Sequence, residues 1–531
     1  MLSLPRFFSS LFVGASLGVA SCFPISTIEF VPSEDSLKVI EKEKIFDELT
    51  FLNSYISSFT HSCLSASEIS HFIEELNKTA IKEGYITTKF GLIPQDLKGG
   101  ILKIGIEVGY INELEFRDNS TLMFFSKDFS IKQGDILNNK EIEFGLSNIR
   151  RNKYLDPKVI ITPSGFYGGS KVEIVVDKKA LPIFFSATLD NGGSTGVRDY
   201  GSSSLDKLKS FFTSNIQSSF VLGIENPAYL GDTLSFYVNN SIPFTQGTHS
   251  LYASASYSLP IRRALLEFSG SYSQSASTLE LDYSSPINSS KSWSFSSKLS
   301  YLLLSNVFHS LSLGIGWNIK DSRNYLDKVE LEVQRKFLSD VSLFLNYKHY
   351  FGTSEFDMTF SLLQGIPAFG SNKILGNDKP YLYTIPTLDF YLNTPFALGS
   401  QNFNFSSMLK TQVSQSDLYA SEKMSIGGRA SVRGFDGLSL SGQIGVIFRN
   451  DLVYYLPSFS GVTFAPSLGL DAGYVQDFKE KVDQYNFLSG GGVGLKMFAP
   501  YFNMEFWWYY PIYNPYKVQT QNFYLSFGVN V

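Results

Sequence analysis

The sequence predicts a transmembrane antiparallel β-barrel of about sixteen strands preceded by two α+β domains. Three observations carry this. From about residue 182 to the C-terminus, apolar and polar residues alternate with a period of two and no helical pattern intervenes. Upstream, residues 24–180 run twice through the same order of strand-like and helical segments. After the N-terminal leader, no window reaches the roughly 18 consecutive apolar residues that a membrane-spanning helix needs. A chain of this kind can enter a bilayer only as a closed barrel, because lipid satisfies no backbone hydrogen bonds.

The alternation is plain in LYASASYSL, where Leu251, Ala253, Ala255, Tyr257 and Leu259 face one way and Tyr252, Ser254, Ser256 and Ser258 the other. LEFSGSYSQ sets Leu266, Phe268 and Tyr272 against Glu267, Ser269, Ser271 and Ser273. VSLFLNYKHY and the terminal FYLSFGVNV continue the pattern. Composition agrees: aromatics are 15% of the 531 residues, with 47 Phe and 30 Tyr. Charged residues are 18%, below the roughly 25% of average soluble domains. A net charge of −5 argues against nucleic acid as the main partner.

The two N-terminal copies each read strand, helix, helix, strand, strand. In the first, STIEFV and ILKIGIEV are strands. Lys38–Ser57 carries Ile45, Phe46, Leu49, Leu52 and Ile56 at helical spacing. Ser67–Glu83 does the same, with Ser67 as its expected N-cap. In the second, YINELEF, KVIITP and KVEIVVD are strands, and Asn119–Ser126 and Lys140–Asn152 are helices. The leader MLSLPRFFSSLFVGASLGVASCFP has a basic Arg6, a short apolar run and small residues, as a secretory signal does. Val19-Ala20-Ser21-Cys22 also fits a lipoprotein cleavage site, which makes Cys22 a candidate lipidation site. Cys63 is then without an obvious partner and reads as a small buried apolar side chain. Expected boundaries are a signal peptide over 1–22, α+β domains over 25–107 and 108–180, and the barrel over 182–531.

Catalytic chemistry is not marked. His61, His71, His249, His309 and His349 stand at no metal-ligand spacing from one another or from a cysteine. No phosphate-binding G-x-x-x-x-G-K-[ST] occurs. SGGGVG (489–494) reads as glycines thinning a barrel strand. Neither a metal, a cofactor nor an enzymatic activity is expected.

Short motifs in one order resemble the haemolysin-activator family, the outer-membrane transporters of two-partner secretion, within the BamA-like superfamily. EGYITTKFGLIPQDLKGGILKIGIEVGYI (83–111) resembles that family's first POTRA (polypeptide-transport-associated) domain, in Gly84-Tyr85-Ile86-Thr87, Pro94-Gln95-Asp96-Leu97, Gly100-Ile101-Leu102 and Gly109. HSCLSASEI (61–69) is similar to the segment leading into its second helix. GDILNNKEIEFGLSNIRR (134–151) and ITPSGFYGGSKVEIVV (161–176) resemble the second POTRA domain. LDNGGSTGVRDY (189–200) resembles the first barrel strand, NPAYLGDTLSFYV (226–238) the next hairpin, and VRGF (432–435) the sixth extracellular loop. Two features depart from the family. The first POTRA strand begins so near the leader that no plug helix is expected. The family's barrel motif Phe-x-Asp-x-Gly is matched by Gly469-Leu470-Asp471-Ala472-Gly473, with Gly469 in the place of Phe. The chain also ends on Val531 where outer-membrane strands commonly end on Phe.

The resemblance implies an ATP-independent pore that binds an unfolded, large β-helical client in the periplasm and secretes it, the barrel acting as a monomer among outer-membrane lipids. An assembly factor for other barrels is the alternative. Client binding falls on Tyr85, Gln95, Asp96 and Leu97, near a sheet edge to which an extended client could add as a strand; Gln95-Asp96 reads equally as a capped turn between strands. The sixth loop is implied to fold into the lumen as a latch of Val432, Arg433, Gly434 and Phe435 on Asp471 and Gly473, with a bidentate Arg433–Asp471 pair. Arg429 reads as a solvated or lipopolysaccharide-facing loop charge.

Overall fold

The computed structural model describes residues 22–59, 62–118, 129, 131–150, 155–178, 182–192, 216–242, 249–279, 284–305, 308–371, 382–435, 438–479, 484–516 and 522–530. The leader, the expected helix Asn119–Ser126, and Val531 lie outside these residues.

The first N-terminal sheet is three-stranded. Thr27–Pro32 lies parallel to the central strand Ile101–Glu107, and Lys89–Leu92 pairs antiparallel on its other side. Along the central strand Leu102, Ile104 and Ile106 alternate inward and are buried. They join a core that includes Ile28, Phe30, Ile45, Leu49, Leu52, Phe72 and Leu76. The second sheet, Tyr110–Asp118, Leu155–Pro163 and Gly169–Lys178, has the same order, with the third strand in the middle. Its helix Asn139–Arg150 stands where a helix over Lys140–Asn152 is expected.

Three expectations for the first domain are corrected. The helical run Lys38–Ser57 is broken into Lys42–Glu48 and Leu52–Phe59. Leu49 leaves the helical region, with ψ 46, and the break lets Ile45, Leu49 and Leu52 all reach the core. The next helix, Ala66–Lys82, is capped by Ser65 and not Ser67: the Ser65 hydroxyl accepts from the Glu68 N–H, and the Glu68 carboxylate accepts from the Ser65 N–H at 2.7 Å. Finally, Cys63 is no isolated apolar side chain, and Cys22 is no lipid attachment site. The two form a disulfide with their Cα atoms 5.2 Å apart, placed by pairing of Phe23–Ile25 with Ser62–Leu64. A thioether-linked lipid would need the sulfur that the bond occupies.

The C-terminal part is a closed barrel. Sixteen long strands pair antiparallel with their sequence neighbours, from Ile183–Asp190 to Asn522–Asn530, and these two pair with each other to close it. Strand length varies around the wall. Ile287–Ser305 has 19 residues and His309–Leu326 has 18, whereas the first strand has 8 and the last 9. Outward positions are apolar and exposed, as at Leu189, Phe268, Leu343, Phe448, Leu468 and Phe506. Inward positions are small and polar, with hydroxyl pairs such as Ser269–Ser296 at 2.6 Å and Ser271–Ser294 at 2.7 Å. An apolar outside and a hydroxyl-lined inside are what a barrel with a wet lumen in lipid requires.

The disulfide closes a segment of sequence separation 41. Cys63→Ser is expected to destabilise the first domain by about 4 kcal/mol on the chain-entropy estimate. Calorimetry of the full chain would show this as a lower first unfolding transition, reproduced in the native chain by reductant.

Candidate functional site

The site is built on the loop 413–443, between the strands Gln401–Gln412 and Ile444–Tyr455. The loop enters the barrel and carries its own two-stranded hairpin, Met424–Ile426 with Leu440–Gly442. Ile426, Val432 and Phe435 are fully buried among Ile447, Val475 and Leu488 of the barrel wall. Lower in the sequence, Leu418 and Tyr419 bury against Leu338, Tyr383 and Ile385. Ion pairs hold the flanks: Lys320–Glu422 at 3.1 Å and Lys423–Asp477 at 2.6 Å.

Arg433 is at the centre and only 2% exposed. Its Nε donates to Asp471 Oδ2 at 2.5 Å and its Nη2 to Asp471 Oδ1 at 2.6 Å, a bidentate pair. Its backbone N–H also donates to Asp471 Oδ2, at 3.0 Å. Nη1 donates to Asp451 Oδ1 at 2.6 Å, and Nη2 to the Asn450 carbonyl at 3.3 Å. The rings of Trp507 and Tyr509 stand 5.4 and 5.8 Å from the guanidinium carbon, within cation–π reach. Arg449 completes the group, with Nε 3.7 Å from Asp471 Oδ1 and Nη1 donating to the Ala430 carbonyl. Two arginines and two aspartates therefore share one neutral cluster.

Backbone space makes the cluster possible. A Cβ at Gly469 would stand 2.5 Å from the Arg433 guanidinium carbon, so this glycine is the notch into which the guanidinium fits. The missing Phe of the family motif is thus a cavity that Arg433 fills. Gly434 has φ +93, and a Cβ there would meet the Tyr510 carbonyl carbon at 2.6 Å. Gly473 lies against Val432 in the same way. In SGGGVG, Gly490 faces the Arg433 carbonyl and Gly494 the Trp507 ring, so these glycines make room for the latch and its aromatic neighbours.

All six residues expected in the latch, Val432, Arg433, Gly434, Phe435, Asp471 and Gly473, therefore meet. Sequence reasoning missed Asp451 and Arg449. Their signal was the alternation itself: Ile447, Arg449, Asp451 and Val453 share one face of Ile444–Tyr455, and two of them are charged. Arg429 is not an ordinary solvated charge. Its guanidinium lies 3.4 Å over the Tyr524 ring, and its Nη1 is 3.9 Å from Asp190 Oδ1.

The residues expected to bind a client also serve the fold of the first domain. Tyr85 is buried, its hydroxyl donates to the Glu48 carbonyl at 2.8 Å, and burial pushes its phenol pKa up. It is a core residue and presents no surface to a client. Gln95 exchanges two hydrogen bonds of 2.6 Å with the Lys103 backbone, extending the ladder of the central strand. Asp96 accepts from the Lys98 N–H, and Leu97 packs on the core. The Asn77 amide bonds both backbone groups of Phe90, each at 3.0 Å, and so covers that edge of the sheet. Among the described residues, the outer edge of Thr27–Pro32 has no ladder partner.

Comparison with known proteins decides the family. Residues 168–497 match the family model for haemolysin secretion/activation protein ShlB/FhaC/HecB, and residues 39–109 match that for the ShlB-type POTRA domain. The chain belongs to the haemolysin secretion/activation protein family. It is similar to the outer membrane transporter CdiB-2 of Burkholderia pseudomallei, 25% identical over 460 residues covering 85% of this chain and 74% of the relative. The hemolysin transporter protein ShlB of Serratia marcescens is 23% identical, covering 80% and 72%. In fold the chain resembles the solved CdiB from Escherichia coli, with TM-score 0.79 and 23% identity over 100% of this chain and 94% of that one. As a member of this family the protein resides in the outer membrane with its POTRA domains in the periplasm, and is an outer-membrane secretion transporter of the two-partner type.

Asp471→Ala would leave Arg433 with Asp451 alone. Breaking one side of a buried pair costs roughly 3–5 kcal/mol, so the loop should come free while the barrel stays closed. Protease added to intact cells is expected to cut within 413–443 in Asp471→Ala and not in the parent. Asp451→Asn, which keeps the bidentate pair, should be cut far less.

Proposed function

We propose that the chain captures an unfolded client in the periplasm through its POTRA domains and passes it outward through the barrel without ATP. The reading rests on one observation above all. A loop is held across the inside of a polar-walled barrel by a buried arginine that two carboxylates neutralise. A plain solute pore gains nothing from burying a charge; a conduit that must hold one loop position during transport does. Capture begins at the outer edge of Thr27–Pro32, whose free N–H and C=O groups can take an extended strand of almost any sequence. Gln95, Asp96 and Leu97 act one step back, by shaping the sheet that presents this edge. The client is a large β-helical exoprotein, and its folding outside the cell supplies direction, since a folded chain cannot return through the pore. The barrel works as a monomer.

Arg433→Ala should leave the barrel inserted at normal levels and sharply lower secretion. Unchanged secretion at normal protein levels would remove the latch from the mechanism. Deleting the gene and comparing proteomes tests the wider reading: one secreted protein should be lost, whereas a general loss of outer-membrane barrels would point to assembly instead.

A further inference from the structure

The joint that closes the barrel is the shortest place to break it. Among the described residues it holds five pairs, Asp190–Ser526 to Ser186–Asn530, whereas the first strand makes eight pairs with its other neighbour. Two features reinforce this joint at the end where it meets the loop. The Asn191 side chain acts as an extra length of strand: its Nδ2 donates to the Phe523 carbonyl at 2.8 Å and its Oδ1 accepts from the Leu525 N–H at 2.9 Å. Its own backbone N–H donates to the Leu525 carbonyl at 3.3 Å. Beside it, Arg429 spans the joint from the lumen, with Tyr524 of the last strand under its plane and Asp190 of the first strand at its edge. Asp190 Oδ1 also accepts from the Gly192 N–H at 2.7 Å, which holds the carboxylate in place. Arg429 belongs to the loop that Arg433, four residues on, fixes to the strands Ile444–Tyr455 and Thr463–Gln476.

We propose that Arg429 is a positioning residue that clasps the barrel seam, so that the seam is fully fastened only while the loop is latched. The ion pair alone is half-exposed and of the kind that contributes little. Stacking of a guanidinium on a ring at 3.4 Å adds a contact that depends on its planar shape. Because both contacts come from one loop residue, any event that withdraws the loop removes them together. Asn191 and the backbone pairs remain, so the seam keeps its register while its fastening from the lumen side is lost. The inference is independent of the client reading above.

Amide hydrogen exchange of the full chain in lipid nanodiscs tests it, read at the peptides spanning 183–192 and 522–530. Arg429→Gln should speed exchange there about tenfold, an ordinary consequence of losing one such contact from a local opening equilibrium. The joint between Ile444–Tyr455 and Thr463–Gln476 should not change. Arg429→Lys, which keeps charge without the planar face, should fall between. Tyr524→Leu should match Arg429→Gln and serves where that variant does not fold. Arg433→Ala should speed seam exchange although it touches no seam residue. Parent-like seam exchange in folded Arg429→Gln or Tyr524→Leu would overturn the clasp. Faster exchange of the loop in Arg433→Ala with a parent-like seam would overturn the coupling.

Discussion

The structure turns on the burial of one positive charge. A guanidinium taken out of water is costly unless its donors and its charge are both met. Here four hydrogen bonds to Asp471, Asp451 and a backbone carbonyl meet them, and the Arg433 backbone N–H adds a fifth to Asp471. Its partners lie on two strands, so the charge is satisfied only when the loop, the strand Ile444–Tyr455 and the strand Thr463–Gln476 are all in place. Glycines at 469 and 490 follow from the same demand, since a side chain there would occupy the volume of the arginine or its carbonyl, and Gly434 lets the loop approach the Tyr510 backbone. The apolar seat of Val432 and Phe435 then forms around the ion pairs.

Much of this was legible in the sequence where a repeated pattern carried it. Period-two alternation over hundreds of residues locates the strands, because each face of a barrel wall meets a different solvent. What was missed depends on single contacts. Asp451 is one inward residue among many, and only the fold brings it beside Arg433. The cysteines were misread because Cys22 sits at the expected leader boundary, which drew attention from the simpler fact that two cysteines can pair. Ser65 and Ser67 both suit a helix start, but only Ser65 has a glutamate three residues on. Arg429 and Arg433 look alike in GGRASVRGFDG. Their difference is set by tertiary neighbours: carboxylates for one, a ring at the seam for the other.

In the first domain the same logic redistributed roles. A polar residue beside an edge strand looks like a recognition group, yet the commoner need there is to satisfy the backbone. Gln95 and Asn77 do this with amides that match both groups of a peptide unit. By closing one side of the sheet they leave the other as the place where a strand can be added.

The uneven length of the strands has a consequence for the surrounding lipid. At about 3.4 Å per residue and a tilt near 40°, the eight-residue first strand rises about 20 Å, and a 19-residue strand about 50 Å. The usual apolar belt of such barrels is about 25 Å tall. The wall is therefore low at its closing joint and tall nearly opposite. A bilayer meeting a short wall thins to match it. Acyl chains beside the seam are compressed, and the protein imposes a local dimple on one side of its own circumference.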